Sequence, residues 1–240
     1  FCGSICSYCH FSRTADHQPV VRSRYVDAVI QEFDLRRAAC GALWDHRLLG
    51  TAYIGGGTPS EIEPELMERL LAGTVMRLNP GPDLELTCEA NPESFDLEKA
   101  NRWKSAGINR ISLGVQSLNT DALQLLGRAC QPDTARRALE LACRTFDRVS
   151  ADWIIGPGLD ENALLAELSE AEALGVEHFS LYILELHQGT KLYTDVHEGR
   201  VNPPADHYTE NLYLAAAEHL AGLGIMQYEV SNFARPGAES

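Results

Sequence analysis

The chain has 240 residues, 45% of them hydrophobic, with 20 Lys plus Arg against 34 Asp plus Glu and a formal charge of −14. This is enough apolar material for the core of one large α/β domain, while the acidic balance argues against non-specific binding to nucleic acid or an anionic membrane surface, leaving room only for a local basic patch. No signal peptide or apolar run of transmembrane length is evident, and 7 scattered cysteines, an odd number, fit a reducing cytoplasm better than a disulfide framework.

The first segment reads F-C-G-S-I-C-S-Y-C-H-F, which places Cys2, Cys6 and Cys9 in a C-x3-C-x2-C spacing. Three thiolates this close can wrap one face of a compact metal centre. A four-iron cubane takes cysteine thiolates and needs four ligands to close. Only three stand here, and the next, Cys40, lies beyond a predicted helix. A cubane on this loop would therefore keep one iron open to an outside ligand. Zinc is an alternative: its second ligand pair is missing, but His10 or His17 could complete a Cys3His site. A disulfide with a spare thiol is the third reading, although a chain of this size needs no such staple. Spacing favours iron–sulfur and leaves all three open.

The rest of the chain alternates strands and helices. Pro19 to about Cys40 reads as a helix with Val26, Val29, Ile30, Phe33 and Leu35 as its apolar residues. Thr51–Ile54 is a strand running into Gly55-Gly56-Gly57-Thr58-Pro59-Ser60, where Thr58 or Ser60 can cap the following helix. Asn79-Pro80-Gly81-Pro82 is a break. Strands are then predicted at Leu84–Ala90, Arg110–Gln116, Arg148–Ile155 and His178–Leu184. The intervening helices are Asp96–Ala106, one from Thr120, one from Pro132 to about Phe146, and Glu161–Leu174. Gly156-Pro157-Gly158 closes the Arg148 strand. Tyr193–Val201 reads as a connection, Asp206 to about Leu223 as a helix with Leu212, Leu214 and Leu220 on its apolar side, and Gln227–Phe233 as a strand.

This order gives βαβ units and a parallel sheet. The cysteine loop precedes the first helix, where a βα loop belongs, so we read the strand before it as missing and the chain as a fragment. The fold class is α/β: a partial (β/α)6 TIM-type barrel, first strand missing, with the start of a C-terminal α+β extension. The division falls at residues 1–190 for the barrel and 191–240 for the extension. Active sites of such folds gather at the carboxyl ends of the strands. There the sequence puts Gly55–Thr58, Glu89, Gln116 and Asp152, with Arg128 after Gly127. The glycines let backbone approach a ligand, although a mere tight turn is the plain reading. Glu89 can accept from an ammonium or ribose, Gln116 can bond a hydroxyl or purine edge, and Arg128 can grip a carboxylate. A buried Asp152 needs a partner, which a ribose diol would supply. Each has a plainer reading alone, as a surface carboxylate or a helix-end cation. Together they describe a ligand with an amine, a carboxylate and a ribose, which is S-adenosylmethionine.

The combined motifs C-x3-C-x2-C, G-G-G-T-P, C-E-A-N-P-E-S, G-I-N-R-I-S-L-G-V-Q-S, L-G-R and Y-E-V-S-N-F-A-R-P-G resemble the radical S-adenosylmethionine (radical SAM) family over nearly the whole chain. More narrowly they resemble its oxygen-independent coproporphyrinogen III oxidase group. The resemblance implies that Cys2, Cys6 and Cys9 hold a [4Fe–4S] cluster. It places Tyr8, Gly56, Gly57, Thr58, Glu89, Gln116, Arg128 and Asp152 around S-adenosylmethionine. Oxidases of the group resemble C-x3-C-x2-C-x-C, whereas here Phe11 stands two past Cys9. That residue, with S-L-N after Gln116, resembles the haem chaperone branch, HemW. The branch implies haem as cargo, haem-acceptor proteins as partners, an electron donor such as a flavodoxin or ferredoxin, and a cytoplasmic location. Oxidative decarboxylation of porphyrinogen propionates is the alternative. The sequence departs from the branch in four ways, the first being that the strand with Tyr and His expected just before Phe1, whose Tyr contributes to the nucleotide site, is absent. Cys130 replaces the His of G-R-x-H, Gly156-Pro157-Gly158 replaces G-L-P, and a His-Asn…Tyr-Trp motif associated with haem is absent.

Overall fold

Alternation within the strands separates two environments. In R-I-S-L-G-V-Q all seven residues are buried, but Ile111, Leu113 and Val115 join the hydrophobic core while Arg110, Ser112, Gly114 and Gln116 alternate with them. The apolar set faces a helical layer and the polar set faces a lumen, as the two-residue period of a strand requires.

The computed structural model describes residues 1–41, 47–156 and 158–240. Parallel strands β1 (Leu49–Ile54), β2 (Pro80–Ala90), β3 (Arg110–Gln116), β4 (Arg148–Ile155) and β5 (His178–Ile183) lie side by side in that order. Beyond β5 come β7 (Asn232–Ala234) and then β6 (Met226–Gln227), both pairs antiparallel. The sheet curls into a half-barrel of the radical SAM partial TIM-barrel kind. The helices are α1 (Pro19–Cys40), α2 (Pro64–Gly73), α3 (Leu97–Ser105), α4 (Thr120–Leu125), α5 (Pro132–Thr145), α6 (Glu161–Ala173), α7 (Lys191–His197) and α8 (Asp206–Gly222). The core lies between sheet and helices, where Trp103, Trp153, Phe179, Leu113 and Leu139 are fully buried. Among the described residues no helix is long and apolar enough to cross a membrane.

Several local expectations are corrected. β2 begins at Pro80, inside the expected break. Only β1 pairs there, because β3 joins β2 from Thr87 onward, so the prolines deprive no ladder of a donor on the β3 side. Neither Thr58 nor Ser60 caps α2, which starts at Pro64 after Glu63; a proline at the first helical position is suited to that start. Ser60 instead bonds Ser94 Oγ at 2.6 Å. Lys191–His197 forms α7, which takes in the first part of the expected connection Tyr193–Val201, and is capped by Thr190 accepting from the Tyr193 amide. The last expected strand is interrupted and supplies β6 and β7. On α8 Leu212, Ala216 and Leu220 are buried and Leu214 is exposed; it lies two residues, about 200°, from Leu212. On α1 only Val26 of the expected apolar set is buried, and Leu35 is exposed. Pro157 lies outside the described residues.

The strand ends are held from behind by Glu167 on α6. Its carboxylate accepts from Ser117 Oγ at 2.9 Å, the Leu118 amide at 2.8 Å and Trp153 Nε1 at 2.9 Å. Burial raises its pKa, and these donors oppose the rise. Glu167→Leu strands three buried donors and is expected to cost on the order of 3–5 kcal/mol, read as a lower midpoint in urea denaturation, whereas Glu167→Gln should lose less. An unchanged midpoint for Glu167→Leu would contradict this role.

Candidate functional site

The cysteine loop has no regular secondary structure, so its backbone must be satisfied by neighbours. The Cys2 amide donates to Thr14 O at 2.9 Å. The Ser7 amide donates to Leu126 O at 3.1 Å, its hydroxyl donates to Leu125 O at 3.0 Å, and Ser7 O accepts from the Leu192 amide at 2.8 Å. The C-terminal end of α4 and the start of α7 therefore grip the loop together. Two glycines permit the approach. Gly57 has φ +62°, and a Cβ there would sit 2.8 Å from Phe1 N. Gly127 has φ +66°, and a Cβ would sit 2.9 Å from Ser7 N. Any other residue would both strain the backbone and push the loop away.

Strand ends bring polar groups to the same rim. Glu89 accepts from the Gly56 amide through Oε2 at 2.9 Å and from Tyr53 OH through Oε1 at 2.9 Å. Arg128 is buried; it donates to Gly114 O at 2.9 Å, lies 3.5 Å from Glu93, and reaches Cys6 Sγ at 3.6 Å. Thr58 Oγ1 lies 3.5 Å from Cys2 Sγ. Gln116 adopts φ 69°, the one positive φ outside glycine among the described residues, and its amide lies against Gly114. Asp152 sits opposite Gly114 and Ser180 in register and accepts from Ser112 Oγ at 3.2 Å. Burial pushes its pKa up to about 7, with Glu89 adding to the rise and hydrogen bonds from Ser180 and Ser112 opposing it. Burial raises the Tyr8 hydroxyl as well, and its other electrostatic neighbours are Cys6, Arg128, Cys9 and Asp152.

The three thiols form no disulfide. Two face hydrogen-bond donors, and the buried Arg128 Nε has no partner, a donor left for an acidic ligand. Of the histidines that could complete a Cys3His site, His17 Nδ1 lies 3.3 Å from Arg22, and the His10 ring is tilted against His187 with centroids 3.6 Å apart. Among the described residues no three His, Cys, Asp or Glu side chains gather tightly enough for a single ion. Cys130 is buried, donates to Gln131 O at 3.4 Å, and has its pKa pushed up to about 11 by burial.

Tyr53, Ser112, Ser180 and Tyr182 were not singled out in the sequence, although they belong to the same lumen. Their signal is parity: each stands two residues from another lumen group, as Ser112 from Gly114 and Ser180 from Tyr182. Asn91 and Glu93, in the turn after β2, also reach the rim, Asn91 through Thr58 Oγ1 and Glu93 through Arg128.

A curled parallel sheet with three thiols on a loop at its carboxyl end is the arrangement of one cofactor-binding class. The model of the Radical SAM superfamily matches residues 1–171, and the chain belongs to that superfamily. Within it the chain is 34% identical over 244 aligned residues to the haem chaperone HemW of Bacillus subtilis, covering 100% of this chain and 63% of that protein. It is also 34% identical to the mitochondrial radical S-adenosyl methionine domain-containing protein 1 of Bos taurus, covering 100% of this chain and 54% of that one. The chain thus spans about three fifths of the length of these relatives. The solved coproporphyrinogen III oxidase HemN from Escherichia coli superposes with a TM-score of 0.86 at 23% identity, over 99% of this chain and 54% of that one, which shows the shared fold.

The raised carboxyl gives a signed prediction. Folded Asp152 keeps its proton to higher pH than the unfolded chain, so stability is greatest below about pH 4 with respect to this group. It falls as pH rises towards about 7, where the carboxyl ionises in the folded state too. The loss is on the order of a few kcal/mol. Melting of the ligand-free protein from pH 4.5 to 8 should show this decline, and Asp152→Asn should flatten it. Equal slopes for the two proteins would contradict the assignment.

Proposed function

We propose that the chain binds a [4Fe–4S] cluster on Cys2, Cys6 and Cys9 and S-adenosylmethionine beside it. The observation that carries this reading is the meeting of three free thiols with the Thr58 hydroxyl, the Arg128 guanidinium and the Glu89 and Asp152 carboxyls at one strand-end rim. When bound, the cluster and nucleotide supply one-electron reductive chemistry; the protein positions them and excludes water. Gly56, Gly57 and Thr58 line the methionyl group. Glu89 accepts from its ammonium, and Arg128, with Nε unpartnered, holds its carboxylate. Gln116 and Asp152 take the ribose hydroxyls, and a diol bonded to Asp152 relieves the cost of burying that carboxyl. Tyr8 covers the loop beside Cys9.

On this reading residues 1–190 are the radical SAM core and 191–240 begin an extension. The protein handles haem and passes it to acceptor proteins in the cytoplasm, with a flavodoxin or ferredoxin as electron donor. Phe11 favours haem handling over the oxidase alternative. It stands where a fourth cysteine would, and the residue is 63% exposed, open to an apolar ligand.

Anaerobic reconstitution should give four irons and four sulfides per chain. Cys6→Ala should abolish the cluster, whereas Cys130→Ala should retain it, since that thiol faces its own Gln131 carbonyl. One zinc without sulfide, or loss of the cluster in Cys130→Ala, would overturn the ligand set. Added haem should shift the Soret band, and coproporphyrinogen should yield no stoichiometric CO2; decarboxylation would transfer the reading to the oxidase.

A further inference from the structure

A directed hydrogen-bond chain leads into the cysteine loop from the turn after β2. Asn91 Nδ2 lies 3.2 Å from Thr58 Oγ1, which lies 3.5 Å from Cys2 Sγ. Thr58 and Cys2 are both buried. A metal-bound thiolate can only accept, so the single hydroxyl proton of Thr58 goes to the sulfur. The Thr58 oxygen then accepts from the Asn91 amide, and the order of donors along the chain is fixed.

Asn91 is itself held by its surroundings. Its backbone amide donates to the fully buried Ser60 Oγ at 3.0 Å, and its carbonyl accepts from the Ser94 amide at 3.1 Å. Lys99 Nζ bridges Ser94 O, at 2.7 Å, and Ser60 O, joining the glycine loop to the turn. Gly114 leaves room for the side chain: a Cβ there would lie 3.0 Å from Asn91 Oδ1. All of these contacts fix the direction of one hydroxyl.

Hydrogen bonds to cluster sulfurs withdraw electron density and are one of the protein's means of setting a reduction potential. We infer that Asn91 is a positioning residue which, through Thr58, keeps a hydrogen bond on the Cys2 sulfur and so raises the reduction potential of the centre held there. Arg128 supplies the corresponding donor to Cys6, so the three ligands are unequal: among the described hydrogen bonds none reaches the Cys9 sulfur. This inference rests on the cluster reading above.

The test is a redox titration of the reconstituted full chain, followed by electron paramagnetic resonance. Thr58→Val keeps the shape and removes the hydroxyl, so the midpoint should move to more negative potential. Thr58→Ser should restore the wild-type value, and Asn91→Ala should give a smaller negative shift. Electron–nuclear double resonance in H2O against D2O should show the exchangeable-proton coupling assigned to Thr58 in wild type and Thr58→Ser and its loss in Thr58→Val, while the coupling from the Arg128 donor to Cys6 remains. A Thr58→Val midpoint equal to wild type, with the proton signal intact, would overturn the inference. If Thr58→Val fails to retain the cluster, Asn91→Ala decides, and an unchanged potential and proton coupling there overturn it. Absence of a four-iron cluster from wild type would instead sink the underlying reading, and iron and sulfide analysis shows that before any potential is measured.

Discussion

The molecule depends on holding an irregular loop with three thiols in one place. No ladder or helix does this. Ser7 does it, with its amide and hydroxyl donating to Leu126 O and Leu125 O and its carbonyl accepting from the Leu192 amide. Gly57 and Gly127 allow the neighbouring loops to close to contact distance. The half-barrel can be seen as the frame that brings α4, α7 and the glycine loop to those points. Thiols on a mobile segment would lose ordering entropy on binding a metal centre; here the fold has already met that cost.

The lumen works against stability. Burial, and then the neighbouring Glu89, raise the cost of ionising Asp152 inside one polar cavity, and Tyr53 and Tyr182 are held neutral above it. The opposite end of the lumen is settled: buried Arg110 donates to Glu85, Ser150 and the carbonyls of Ala238 and Glu239. Unlike that closed network, the rim leaves Arg128 Nε unpartnered. Perturbed groups gathered at strand ends mark the place where a ligand belongs.

Much of the fold was legible. The bounds of β3 and β4 match the apolar–polar alternation of R-I-S-L-G-V-Q and R-V-S-A-D-W-I-I, because buried parallel strands leave little freedom in register. The site was legible where chemistry is concentrated in rare residues, as at Cys2, Cys6 and Cys9. It was not legible where it depends on parity or partners. Ser112 and Ser180 look like ordinary strand residues until one knows which face lines the lumen. The positive φ of Gln116 and the Asn91–Thr58–Cys2 chain join residues far apart in sequence. α7 escaped because a seven-residue helix with few apolar positions carries little periodicity, while the Thr190 cap that starts it is a single hydroxyl.

The central claim is that Cys2, Cys6 and Cys9 leave one metal position for S-adenosylmethionine. The direct measurement is electron paramagnetic resonance of the reduced, reconstituted chain with and without S-adenosylmethionine labelled with 15N at its amine and 17O at its carboxylate. The account predicts a changed spectrum with hyperfine coupling to both labels, weakened in Arg128→Ala. A spectrum indifferent to the nucleotide, from a chain carrying its full iron and sulfide, would contradict it.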